Sequence, residues 1–356
     1  MSDRIPQVRE ALQAHDADAV LLSSLPNIRW ACGFSGSNAR LIVRPHAAHF
    51  LTDGRYDTQA HREVRGADIH IVRGNLIDHA AEASLLADAA RVAFQSDHTT
   101  VQQREKLEAS FEDVEWVPVA HLLDRRIASK DDGEVACIRK AQRITEAVFA
   151  SIQEEIRPGV TERDLAAEIV YQHLRRGADD VAFNPIVASG PNAALPHARP
   201  TDRELQEGEL IVIDMGAVAD GYASDMTRTV ALGDPGAAAR RGYEVVRDAQ
   251  RAAIDAARAG MTTDALDAVA RDAIEAQGLG DAFSHSLGHG LGLEVHEWPR
   301  VSYATEDTLP EGTCVTIEPG VYVPAEGYGV RIEDIVRLHE DGCENLTQVS
   351  TEFRVL

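Results

Sequence analysis

The chain has 356 residues, 44% of them hydrophobic, which suits two domains with sizeable cores and excludes a disordered chain. Acidic residues outnumber basic ones 58 to 35, a formal charge of −23. Such a surface repels nucleic-acid phosphates and anionic membranes, so neither is an expected partner, whereas carboxylates are the ligands of hard cations.

From the N-terminus, Pro6 to Ala14 reads as a helix, followed by a strand at Ala19-Val-Leu-Leu-Ser. Leu41-Ile-Val and His49-Phe-Leu read as strands, the second running into Thr52-Asp-Gly-Arg. A strand at Ile69-His-Ile-Val, an alanine-rich helix near Ala80 to Ala90 and a strand at Val92-Ala-Phe complete the alternation. That alternation predicts a small α/β domain over residues 1–123. The charged run Asp124-Arg-Arg-Ile-Ala-Ser-Lys-Asp-Asp-Gly-Glu134 marks a boundary, with a linker over 124–133 and a second domain over 134–356. The second domain opens on a long helix with Ile138, Ala141, Thr145, Val148 and Ile152 on one face, ending before Pro158-Gly159.

Beyond this helix the chain repeats itself. Arg157-Pro-Gly-Val-Thr161 is similar to Arg258-Ala-Gly-Met-Thr262, and Leu165 and Gly177 find counterparts in Leu266 and Gly278. Each threonine can cap the helix that follows, and each glycine stands where that helix should stop. Glu207-Gly-Glu-Leu-Ile-Val-Ile-Asp214 likewise parallels Glu311-Gly-Thr-Cys-Val-Thr-Ile-Glu318. An internally duplicated α+β domain with pseudo-two-fold symmetry places its site where the halves converge.

Two acidic pairs stand on strand-patterned segments. Asp214 ends Leu210-Ile-Val-Ile, Asp225 opens Asp225-Met-Thr-Arg-Thr-Val, and Asp220-Gly221 between them is a turn signal. Glu318 follows Val315-Thr-Ile, Glu333 lies in Val330-Arg-Ile-Glu-Asp-Ile-Val, and Glu326-Gly327 sits between. Two hairpins would each bring a carboxylate pair together. Four carboxylates within a hydrophobic sheet repel one another unless cations neutralise them, and two divalent ions balance four such charges. The fifth element is His285-Ser-Leu-Gly-His-Gly-Leu-Gly-Leu-Glu-Val-His-Glu297, in which glycines at 288, 290 and 292 let the backbone pass close to a bound group.

Several apparent motifs fail on context. Gly288-x-Gly290-x-Gly292 does not open a helix after a strand, so it is no dinucleotide loop. His296-Glu297-Trp-Pro-Arg300 lacks the second histidine of a zinc HExxH helix, and Gly33-Phe-Ser-Gly is not the GxSxG elbow. Cys32, Cys137, Cys314 and Cys343 form no CxxC pair and read as free thiols in a reducing cytoplasm. The opening MSDRIPQVREALQAHDADAV is too charged for a signal peptide, and no run approaches the roughly 18 apolar residues of a membrane span.

In order along the chain, Ile186-Val-Ala-Ser-Gly, Leu195-Pro-His197, Ile211-Val-Ile-Asp-Met-Gly, Ser224-Asp-Met-Thr-Arg-Thr, His285 to Glu297, Thr316-Ile-Glu-Pro-Gly and Val330-Arg-Ile-Glu-Asp resemble the Xaa-Pro peptidases. This family comprises prolidase and aminopeptidase P within the methionine aminopeptidase and creatinase superfamily. Phe34-Ser-Gly-Ser and Leu51-Thr-Asp-Gly-Arg-Tyr extend the likeness into the first domain. The resemblance implies a pita-bread catalytic domain behind a smaller creatinase-type α/β domain. It implies metal ligands at Asp214, Asp225, His289, Glu318 and Glu333, with Asp225 and Glu333 bridging two ions, Asp214 on one and His289 with Glu318 on the other. Creatinase lacks this metal set, methionine aminopeptidase lacks the extra N-terminal domain, and non-enzymatic relatives have generally lost ligands that this chain keeps.

The roles that follow are hydrolytic. Glu318 accepts the proton of an attacking water, His296 donates to the developing oxyanion, His197 positions substrate, His285 lines the proline pocket and Arg331 supports the metal ligands. Four oxygen donors and one imidazole suit manganese, with cobalt or zinc as alternatives. The expected substrate is a proline-containing peptide, and the family suggests a homodimer. An Xaa-Pro dipeptidase must hold the free proline carboxylate or close the site beyond it; Arg40, or Arg44 on the same segment, is the candidate for the first task. An Xaa-Pro aminopeptidase acting on longer peptides is the alternative, a non-catalytic peptide- or metal-binding protein on the same fold a more remote one.

Overall fold

The computed structural model describes residues 3–356, and the chain divides into two compact units after Ile127.

The first unit is a six-stranded mixed sheet with helices. Its strands are β1 (Ala19–Leu22), β2 (Arg40–Val43), β3 (Ala48–Asp53), β4 (Asp68–Val72), β5 (Arg91–Gln95) and β6 (Glu115–Val119), in the spatial order β4-β3-β2-β1-β5-β6. β1 runs parallel to β5, β5 to β6 and β3 to β4, while β2 is antiparallel to both its neighbours. The helices are α1 (Ile5–Ala14), α2 (Leu25–Cys32), α3 (Asp57–Glu63), α4 (Leu76–Glu82) and α5 (Val101–Ser110). The alanine-rich helix expected near 80–90 is displaced: α4 ends at Glu82, and Ser84 and Asp88 adopt φ of 56° and 62°. This left-handed backbone turns the chain so that Leu85, Leu86 and Ala89 bury beside β5 instead of continuing a helical stripe.

The segment 124–133 contains α6 (Asp124–Ala128) and then Asp131, which caps α7 (Asp132–Ile152). Asp131 and Glu134 form a reciprocal capping box, which fixes where this helix begins. Ile138, Ala141, Thr145, Val148 and Ile152 are all buried, as the 3.6-residue spacing predicts. Each of the aliphatic ones contributes about 1.5–3 kcal/mol through removal from water, alanine less.

The second unit is built twice. α7 and α8 (Glu162–Arg175) pack on an antiparallel sheet of β8 (Ile186–Ser189), β9 (Glu209–Met215) and β12 (Met226–Leu232), with the short β7 (Asp180–Val181), β10 (Ala217–Ala219) and β11 (Tyr222–Ala223) in a side sheet. α9 (Gly236–Ala256) and α10 (Thr263–Glu275) pack on β13 (Gly288–Gly290), β15 (Cys314–Ile317) and β18 (Asp334–His339). β14 (Glu297–Val301) and β19 (Gly342–Asn345) extend that second sheet, and β16 (Gly320–Val323) pairs with β17 (Tyr328–Arg331) alone. The central orders β8-β9-β12 and β13-β15-β18 match, and each half inserts a hairpin, β10/β11 or β16/β17, at the same place. Thr161 bridges Glu204, and Thr262 bridges Thr308. Thr161 caps α8 through the Asp164 amide as expected, whereas the Thr262 side chain makes no such cap bond to α10. Gly177 and Gly278 follow the two helices at φ of 91° and 73°.

Candidate metallopeptidase site

The duplicated hairpins place the carboxylates. β9 pairs with β12 so that Asp214 faces Thr227 and Met215 faces Met226, leaving Asp225 just beyond the last rung. The tight turn of the inserted hairpin uses Asp220 at φ 51° and Gly221 at φ 80°, the left-handed pair that suits a two-residue connection. In the second half Ile317 faces Asp334, so Glu318 and Glu333 occupy the next position along the ladder. Asp225, Glu318 and Glu333 therefore sit in breaks between strands rather than within them. A residue at such a break is released from the ladder and can turn toward a common centre.

His289 lies in the middle of β13, between glycines. A Cβ at Gly288 would run into the Thr316 backbone, and one at Gly290 would lie 2.6 Å from the Trp298 carbonyl oxygen. Glycine at both positions lets β13 pass closely enough between β14 and β15 for His289 to reach the acidic cluster. His296 lies in the irregular turn just before β14.

All five expected ligands line one cavity of about 520 Å³, together with His197, His285, His296 and Arg331. His289 Nε2 is 3.2 Å from Glu318 Oε1 and 3.6 Å from Asp225 Oδ2. Donor atoms of Asp225, His289 and Glu333 lie within 4.8 Å of one another. Burial, followed by Glu333, Asp214 and Glu318, pushes Asp225 well above the ordinary carboxyl range. Burial and the charges of Glu318 and Asp214 do the same to Glu333. Asp214 is raised by burial, with Arg331 opposing. Burial acts upward on Glu318 as well, but the bond and charge of His289, then His285 and Arg331, outweigh it and hold the carboxyl at about 2.

These residues fit divalent cations. Asp214 Oδ1, Asp225 Oδ1 and Glu333 Oε1 are buried and have no hydrogen-bond partner. Unpaired buried carboxylate oxygens that also repel one another are costly, and bound cations relieve both penalties. Four carboxylates and one imidazole form a hard, oxygen-rich donor set.

Around these five residues lies a hydrogen-bonded support. The Arg331 guanidinium donates to Asp214 Oδ2 at 2.6 Å, Tyr322 Oη at 2.9 Å, Pro196 O at 3.1 Å and Thr227 Oγ1 at 3.1 Å. Burial works against its charge, but Tyr322 and the surrounding acids outweigh burial, so Arg331 stays protonated. Thr227 donates to Glu333 Oε2 at 2.7 Å, and Thr316 donates to Glu318 Oε1 at 3.0 Å. Neither threonine was expected to have a role. The available signal was spacing: each stands two residues from a carboxylate on a strand-patterned run, hence on the same face. The segment carrying His285 is held by Arg271, which binds the Phe283 and His285 carbonyls and pairs with the buried Asp267.

Burial lowers the pKa of both His285 and His296, which favours the neutral imidazole. The ring of His285 meets the Tyr322 hydroxyl at 3.0 Å. His296 packs edge-on to His289 with centroids 4.4 Å apart. His197 and the partly covered His296 both keep solvent-exposed surface and make no hydrogen bond to another described residue, so their ring nitrogens are available to a ligand. Phe183, Ile186 and Pro196 add an apolar wall, and Arg300, which donates to Ser286 Oγ at 2.8 Å, adds a solvent-exposed guanidinium. Arg40 is not among the lining residues. It lines another cavity, bounded by residues of the first unit, and Arg44 bonds backbone carbonyls of that unit at Leu85 and Ala87.

The duplicated fold and the convergent acidic centre define a metallopeptidase. The chain belongs to metallopeptidase family M24, whose model matches residues 136–340, and residues 4–126 match the creatinase/prolidase N-terminal domain. Within that family its relatives include Xaa-Pro dipeptidases and an X-Pro aminopeptidase. It is 35% identical to the Xaa-Pro dipeptidase of Pyrococcus horikoshii, over 99% of each chain. The structure of an Xaa-Pro dipeptidase from Bacillus anthracis superposes with a TM-score of 0.96 at 33% identity, covering 99% of both chains. That of the X-Pro aminopeptidase of Thermotoga maritima gives 0.91 at 34% identity, covering 98% of this chain and all of the other. The pita-bread and creatinase-type architecture is thereby shown, and the chain is a peptidase. Among the described residues no helix is long and apolar enough to cross a membrane.

Proposed function

We propose that this peptidase hydrolyses Xaa-Pro dipeptides with two divalent ions, manganese preferred, held by Asp214, Asp225, His289, Glu318 and Glu333. The observation that carries this reading is the set of orphaned carboxylate oxygens on Asp214, Asp225 and Glu333 in one cavity. Held by these side chains, two divalent ions would supply an activated water and Lewis-acid polarisation of the scissile carbonyl. Glu318, whose carboxylate is oriented by the Thr316 hydroxyl, takes the proton released as water attacks. The exposed ring of His296 donates a hydrogen bond to the oxygen on which charge develops. His197 orients the peptide, and His285, held against Tyr322, lines the proline side with Phe183 and Ile186.

The Xaa-Pro bond has no N–H, so recognition falls on the ring and on the chain ends. In a dipeptide the proline carboxylate is free, and Arg300 is the cavity guanidinium suited to it. Release of the first residue from longer peptides is the second reading, favoured by the likeness to the T. maritima aminopeptidase. Manganese-loaded protein should hydrolyse an Xaa-Pro dipeptide at least tenfold faster than the matching Xaa-Pro-Yaa tripeptide. Arg300→Ala should raise KM for the dipeptide alone. Tripeptide preference together with a silent Arg300→Ala favours the second reading, and loss of neither activity on chelation overturns both. A homodimer in a cytoplasmic setting belongs to the same proposal and is checked by light scattering and by fractionation of the source cells.

A further inference from the structure

The first unit contains a cavity of about 630 Å³, larger than the one around the acidic centre. Leu21 and Ser23 border it where β1 ends, Arg40 where antiparallel β2 begins, and Thr99 just after β5. β1 lies between β2 and β5, with β2, β3 and β4 on one side and β5 and β6 on the other. The carboxyl ends of β1 and β5 thus form a topological switch point, the place where open α/β sheets bind ligands.

The chemistry of the lining is that of an anion site with an oily wall. Arg40 is partly buried, and its guanidinium makes a single hydrogen bond, at 2.6 Å, to the carbonyl of its own neighbour Ala39. Arg55, Arg91 and Arg104 in the same unit each pair with a carboxylate, at Asp53, Glu115 and Glu108, whereas Arg44 and Arg65, like Arg40, bond only backbone carbonyls among the described residues; of these three, Arg40 is the one that lines the cavity. Burial acts on the Arg40 charge with no anion to offset it. Lys106 also lines the cavity but is paired with Asp78, so the added positive potential comes from the first turn of α5, and Leu21, Leu76, Ile77 and Leu107 supply apolar surface. The acidic residue of the lining, Glu105, is exposed, where solvent screens it.

We propose that this cavity is a second binding site, taking a small aliphatic carboxylate whose anion pairs with Arg40 and whose hydrocarbon packs on the leucine and isoleucine wall. The assignment is independent of the peptidase reading.

The test is hydrogen exchange, read by mass spectrometry, on the manganese-loaded full chain with 4-methylpentanoate as probe. A local readout separates this cavity from carboxylate binding at the acidic centre. Exchange in segments 74–77 and 99–107 should slow at least threefold with 4-methylpentanoate and be unchanged with neutral 4-methylpentanamide. Arg40→Ala should abolish the protection. Gln102→Glu, an exposed change that adds a negative charge to the lining, should raise the half-maximal probe concentration at least threefold even where Arg40→Ala fails to fold. Absence of protection in the wild type, equal protection by the amide, undiminished protection in Arg40→Ala or an unshifted midpoint in Gln102→Glu would overturn the site. Tighter protection by inorganic phosphate than by the probe would overturn its assignment to carboxylates.

Discussion

Replacing Arg331 by methionine keeps the bulk of the side-chain stem and removes every donor. Four hydrogen bonds are lost, among them the 2.6 Å contact to Asp214 Oδ2. At an effective dielectric of 20 that contact corresponds to roughly 6 kcal/mol of Coulomb attraction, much of it offset by the cost of burying both groups. Truncating one partner leaves a buried carboxylate unpaired, which costs about 3–5 kcal/mol. Asp214 can limit this by taking up a proton, since burial already raises its pKa. Protonation has its own consequence, because a carboxylic acid must lose its proton to bind a cation. The expected result is therefore a metal-free protein destabilised by about 3 kcal/mol and a manganese affinity about 10–100-fold weaker. By linkage the manganese-loaded variant loses roughly 1.4–2.7 kcal/mol more. Urea unfolding followed by circular dichroism gives the first quantity and calorimetric manganese titration the second. A metal-free loss below about 1 kcal/mol, or unchanged manganese affinity, refutes the reasoning.

Glu162 is wholly buried and accepts hydrogen bonds from the amides and hydroxyls of Ser189 and Thr201 and from Asn192 Nδ2, clamping the loop that carries Pro196 and His197. Glu162→Ala should destabilise the protein by about 2–4 kcal/mol and raise KM more than it lowers kcat, with Glu162→Gln milder; an equal fall in kcat at constant KM would argue against a loop-positioning role. Gly288→Ala drives a methyl group into the Thr316 backbone and should displace His289, lowering manganese affinity by about tenfold or more; an unaffected titration would contradict the close passage of β13. In the metal-free protein Asp225 and Glu333 titrate well above their ordinary values, so the folded chain retains protons that the unfolded chain has released. Stability should then fall as pH rises from the ordinary carboxyl range toward those raised values, His289 acting in the same direction above its ordinary 6.5. Asp225→Asn should flatten this decline in urea melts, and an equally steep decline in wild type and variant would count against it.

The sequence patterns that survived folding were those with a local physical cause. The buried face of α7 followed from 3.6-residue spacing, and the hairpin between Asp214 and Asp225 from a turn that glycine and aspartate can make. The duplication was legible because two helices, their following glycines and two strand runs recur in step. What stayed hidden depends on tertiary placement. Nothing local separates Thr227 and Thr316 from other strand threonines until their hydroxyls meet Glu333 and Glu318. Arg40 and Arg300 are alike in sequence, and only the packing assigns them to different cavities. The end of α4 was missed because Ser84 and Asp88 take left-handed backbone, which their residue types permit but do not demand.

Metal content probes the acidic centre most directly. Wild-type protein and Asp225→Asn, each saturated with manganese, desalted and measured by inductively coupled plasma mass spectrometry, should retain two ions per chain and fewer than one, respectively. Wild-type protein that keeps no manganese, or an Asp225→Asn variant that still keeps two ions, would contradict a dinuclear centre held by these five side chains.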